Sequence, residues 1–123
     1  MIAVSSSLKE KTMKLSKQSI NEVLVVVIEN KEANLSKSEQ FKELIFQDIE
    51  DGAHHLVICF QHVEYLDSSF LGALVAILKK LLPLKGKLVL TQLNKDILNL
   101  FELTRLDKIF TIESTLETSL QKF

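Results

Sequence analysis

The chain predicts an α/β domain with a mixed, mostly parallel central sheet of four to five strands and about four helices. Three observations carry that expectation. The short runs "EVLVVVIE", "HLVICF" and "KLVLT" have strand length and no polar alternation, as strands covered on both faces do. Between them lie segments whose apolar residues recur at helical spacing. Strand and helix signals alternate at short intervals, which is the pattern of parallel strands joined by crossover helices.

Taken in order, residues 1–12 are polar, Ser- and Lys-rich and unpatterned. They predict a loose tail or edge, with the folded domain at 13–123. A weak strand is expected near 13–18, with Ser19, Ile20 and Asn21 turning the chain into the strand at 22–29. In "SKSEQFKELIFQDIEDG", Ser36 with Glu39 three residues later fits a capping box, and Phe41, Leu44, Ile45 and Ile49 share one helical face. Gly52 stands where a helix-ending glycine is expected. Residues 55–60 predict a second buried strand. "SSFLGALVAILKKLL" is apolar nearly all round, which predicts a deeply buried helix ended by Pro83 and Gly86. Residues 87–91 predict a third buried strand. Asn94 is placed to cap a short helix carrying Ile97, Leu100 and Phe101. "KIFTI" (108–112) predicts a fourth short strand, and Leu116, Leu120 and Phe123 a closing helix.

Composition narrows the function classes. A length of 123 residues suits one domain with a core of its own. Hydrophobic residues are 46% and charged residues 25%, which argues against disorder. With 15 Lys+Arg against 16 Asp+Glu, the formal net charge is -1, so no charge excess invites nucleic acid or an anionic membrane. Cys59 is the single cysteine and sits in an apolar run, where a thiol acts as a small hydrophobe. No apolar stretch reaches about 18 uncharged residues, and the N-terminus does not read as a signal peptide. A monomer in a reducing cytoplasm is the expectation.

The tools of an enzyme are not written here. The sequence has no GxxxxGK[ST] loop, no GxGxxG and no G-x-S-x-G elbow. His54 and His55 are strand neighbours whose side chains would diverge, and His62 stands apart, so no metal site is expected. No cofactor is implied. Glu64 and Asp67 are close enough to flank a groove, but nothing marks the hydrophobic pocket that would raise one carboxyl for acid–base work.

"YLDSSFLGALVAILKKLL" stands out instead. Asp67, Ser68 and Ser69 fall where the loop after the second buried strand enters the apolar helix. Loops at the carboxyl ends of strands are the usual functional edge of such sheets. One side chain suffices to cap a helix. Three in a row leave a surplus hydroxyl at an exposed helix start, where a phosphate would be tolerated by the fold and felt by a partner.

On these residues the chain resembles the STAS domain family, specifically the bacterial anti-sigma factor antagonists. "VEYLDSSFLGALVAILKKL" is similar to the family's Asp-Ser-Ser/Thr-Gly-Leu-Gly segment. "EVLVVVIENKEANLSKSEQFKELI" and "GKLVLTQLNKDILNLFELTRLDKIFTIESTLETSL" resemble the flanking strands, short helix, turn and terminal helix, so that the likeness covers roughly residues 13–122. It implies a non-catalytic role. Such proteins bind an anti-sigma factor that is itself an ATP-dependent serine kinase, are released on phosphorylation of the second hydroxyl, and are reset by a PP2C-type phosphatase. Carried over, Ser69 is the phosphorylation site, Ser68 its hydroxyl neighbour and Asp67 the residue holding loop and helix start. Gly72 would permit close approach along the helix, and Glu64 would join the partner-binding surface.

Two positions depart from the family pattern. Phe70 replaces the glycine after the Ser pair, as an apolar anchor for the partner or as an obstruction to the kinase cleft. Arg105 stands where a glycine is common, a matter of local loop geometry. The alternatives are a STAS interaction module without the phospho-switch, in a signalling scaffold or lipid-transport complex, and a small α/β enzyme.

Overall fold

A computed structural model describes residues 12–123. The tail expected at 1–12 thus lies, apart from Thr12, outside the described residues. A five-stranded sheet runs in the order β1 (Leu15–Ile20), β2 (Val23–Ile28), β4 (His55–Cys59), β6 (Lys87–Thr91) and β7 (Thr111–Glu113). β1 is antiparallel to β2, and every other pairing is parallel. Among the described residues, three α-helices join the strands, α1 (Leu35–Glu50), α2 (Ser68–Leu81) and α3 (Lys95–Leu103), and a fourth, α4 (Leu116–Leu120), follows β7. The fold class is as the sequence predicts.

The β1–β2 hairpin turns on Asn21 and Glu22, both at positive φ (51° and 66°). That is the two-residue loop whose twist matches antiparallel strands. The first strand therefore runs two residues further than expected, and Ser19 and Ile20 pair with Leu24 and Val23 rather than turn. At the other edge, the strand expected from 108 begins only at Thr111, because residues Leu106–Lys108 form a 3-10 turn after Arg105.

Side-chain alternation divides the buried residues between two faces of the sheet. Val26, Ile28, Leu56, Ile58, Leu88 and Leu90 form the main core with the apolar faces of α1, α2 and α3. Val23, Val25, Val57 and Val89 point to the opposite face, where Leu116 and Leu120 of the short α4 pack on them. The unbroken apolar strands are thus explained by cover on both sides. Cys59 is buried and donates its thiol to Gln92 Oε1 at 2.8 Å.

α1 and α2 pack side by side. Phe41, Ile45 and Ile49 bury one stripe of α1, with Leu44 partly covered at its edge. α2 buries Phe70, Leu71, Ala73, Leu74, Ile77 and Leu81. α1 ends on Gly52 at φ 110°, a conformation that suits glycine. Its start differs from expectation. The N-cap is Asn34 and the capping box at Ser36 and Glu39 does not form. Ser36 already lies inside the first turn and donates to Asn34 Oδ1, while Glu39 pairs with Lys42.

Candidate functional site

Two strands of two residues each, β3 (Glu32–Ala33) and β5 (Tyr65–Leu66), pair in parallel and set the starts of α1 and α2 beside each other. The chain between β4 and α2 is held along its backbone. Glu64 N–H and Tyr65 N–H donate to Lys31 O at 2.7 and 3.1 Å, and Asp67 N–H donates to Ala33 O at 3.1 Å. Asn94 caps α3 through Ile97 N–H, as its position predicts. It also does something the sequence does not signal: its side-chain amide donates to the carbonyls of Val63 and Glu64.

Asp67 joins the two helices. Its Oδ1 accepts from Phe70 N–H at 3.1 Å and caps α2. Its Oδ2 accepts from Leu35 N–H at 3.0 Å, in the first turn of α1. One carboxylate thus serves two helix starts, each with unpaired N–H groups and partial positive charge.

With capping assigned to Asp67, the two hydroxyls are spare. Neither Ser68 Oγ nor Ser69 Oγ is hydrogen-bonded to any described residue. Ser68 is exposed and Ser69 is half-buried. Ser69, Gly72 and Ala76 face Ser38, Glu39 and Lys42 across a shallow depression of about 190 Å³ between the helices. Gly72 is exposed, and a Cβ there would meet nothing within 4 Å. Glu64 is exposed on the approach to the same helix start.

Phe70 is not a surface anchor. Its ring is 0% exposed and stacks on Phe41 with centroids 4.7 Å apart. At the third position of α2 its side chain turns inward between the helices, so it neither reaches a partner nor stands in the way of one. The apolar groups that do reach solvent at this end are Leu35 (70% exposed) and Tyr65 (56%). Sequence patterning misses both, since their exposure depends on the β3–β5 pairing.

The rest of the surface offers little chemistry. Among the described residues, no three His, Cys, Asp or Glu side chains gather as a metal site, and no helix is long and apolar enough to cross a membrane. His62 pairs with Glu29 at 3.5 Å, and His55 lies against Phe123.

Comparison with known proteins settles the family. The STAS domain model matches residues 5–119. The chain belongs to the STAS domain family. A STAS relative from Thermotoga neapolitana, named as a candidate anti-sigma factor antagonist, is 30% identical over 104 residues, covering 84% of this chain and 92% of its own. The crystal structure of a candidate anti-sigma factor antagonist from Thermotoga maritima superposes with a TM-score of 0.80 at 24% identity, over 88% of this chain and 92% of that one. The phosphorylated form of the Bacillus cell-fate determinant SpoIIAA superposes at 0.67 with 20% identity, over 89% and 97%. At these identities the superpositions speak for the STAS fold.

Proposed function

We propose that this STAS protein is a cytoplasmic anti-sigma factor antagonist that binds an anti-sigma factor serine kinase and is released when Ser69 is phosphorylated. The observation that carries the reading is the division of labour at the start of α2. Asp67 makes the capping bonds, and Ser69 keeps a hydroxyl at the surface with no structural duty. The named relative supports the antagonist role.

The bound surface comprises Glu64, Asp67, Ser68, Ser69 and Gly72, with exposed Leu35 and Tyr65 beside them. The protein itself catalyses nothing. The partner kinase supplies ATP: Ser69 Oγ attacks the γ-phosphorus, the bond to the β-phosphate oxygen breaks, ADP leaves, and the hydroxyl proton passes to a base of the kinase. The new group carries about −1.5 to −2 charges. The rigid scaffold beneath persists, while an acidic or apolar partner surface rejects the charge. A PP2C-type phosphatase hydrolyses the ester and restores binding.

Phe70 was the residue that favoured a STAS module without the switch. Its burial removes that support. Incubation with the captured partner kinase and ATP, followed by intact-mass measurement and peptide mapping, tests the reading. One added phosphoryl group at Ser69 is expected; no addition, or addition elsewhere, overturns it.

A further inference from the structure

The groove beside Ser69 also holds a cation. Among the described residues, Lys42 and Glu39 on α1 are the charged residues lining the depression, and α2 contributes none. Lys42 Nζ lies 3.1 Å from Glu39 Oε2, and the Glu39 side chain is 70% exposed against 30% for Lys42. Pairs this solvated exchange partners readily. The Lys42 stem is the better held of the two, with Nζ 6.0 Å from the centre of the Phe46 ring. The groove floor across from it is open, because Gly72 brings no side chain into it.

We propose that Lys42 is the intramolecular counter-ion of a phosphoryl group on Ser69. Its ammonium leaves Glu39 and pairs with the phosphoryl oxygens across the groove. The inference rests on the reading that Ser69 is modified. No covalent bond changes in the exchange. The phosphoryl group offers three acceptor oxygens and nearly twice the charge of the Glu39 carboxylate. It competes for Lys42 on charge, and it repels Glu39 toward solvent. The phosphate is thereby drawn over the α1–α2 groove and half-neutralised by the protein's own chain. The STAS protein in its released state then presents a filled groove rather than a bare dianion.

The test places phosphoserine at position 69 of the full chain by incorporation during synthesis, with no kinase involved. The phosphorus resonance is then followed as a function of pH in the native sequence and in Lys42→Met, Lys42→Gln and Lys42→Arg. A cation beside the phosphate favours its dianion, so its second pKa falls. The expected result is a pKa lower by at least about half a unit with Lys42 or Lys42→Arg than with Lys42→Met or Lys42→Gln. Titration curves that coincide in all four proteins overturn the proposal. A kinase that leaves Ser69 untouched would sink the phospho-switch yet leave this titration readable. Phosphorylation with Lys42-independent titration would sink the counter-ion alone.

Discussion

Asp67 accepts a hydrogen bond from the backbone N–H of Leu35, 32 residues earlier in the chain, at 3.0 Å. Its second oxygen caps its own helix through Phe70 N–H. The residue before the two serines is therefore a strut between helices, and its loss is felt at both ends.

Each N-cap bond is worth about 1 kcal/mol. Asp67→Ala removes both acceptors and is expected to destabilise the protein by about 2 kcal/mol. Asp67→Asn keeps one acceptor oxygen and should cost about half as much. Urea denaturation of the three proteins measures both steps. An Asp67→Asn protein as stable as the native one would deny the second bond.

Phe70 is a core residue stacked on Phe41. Phe70→Ala should cost about 3–5 kcal/mol, the range for deleting a buried ring. Phe70→Leu keeps most of the volume and should leave the affinity for the proposed partner kinase within about twofold of the parent, since buried groups act on binding only through the fold. A selective loss of affinity in a well-folded Phe70→Leu protein would restore the ring to the interface.

Glu22 occupies the second position of the hairpin turn at φ 66°, where a side chain is strained and glycine is favoured. Glu22→Gly relieves about 1–2 kcal/mol of strain and concedes about half of it to the freer unfolded chain. The expected gain is about 0.5–1 kcal/mol, read as a higher thermal midpoint. Among the described residues, Arg105 at φ 64° is another such site, alongside Lys85 and Gln92. Arg105→Gly should act alike.

Burial pushes the Cys59 thiol above its ordinary pKa, and the negative charge of Glu29 adds to the effect. The folded protein should resist iodoacetamide at pH 8.5, while the urea-unfolded chain reacts at the rate of a free thiol. Below the unfolded thiol's pKa the group is protonated in both states and its contribution is intact. As pH rises from there toward the higher folded value, the unfolded state alone ionises and stability falls. Cys59→Ala should flatten that alkaline decline.

The central strands and long helices were legible because burial on both faces writes itself as unbroken Val, Ile and Leu, and helix faces as spaced apolar residues. Asn94 as a cap was legible for the same local reason. The Leu35–Asp67 bond was not, since it depends on two strands of two residues, which leave no periodic signal. Those strands also decide that Leu35 and Tyr65 reach solvent. Phe70 shows the converse error. Comparison with a family pattern that places glycine there made the ring look like surface, whereas its spacing of four from Leu74 and seven from Ile77 already marks the buried stripe of α2. The capping box does not form because Ser36 and Glu39 satisfy the pattern two residues too late, after Asn34 has taken the N-cap position.

Calorimetric titration of the proposed partner kinase into the native protein, Ser69→Ala and Ser69→Asp measures the central relationship most directly. Ser69→Ala should bind as the unphosphorylated native protein does. Ser69→Asp, with unchanged stability, should bind at least about tenfold more weakly, the loss of about 1.4 kcal/mol expected for a like charge pressed onto a complementary surface. Equal affinities for both variants would contradict a docking face governed by charge at Ser69.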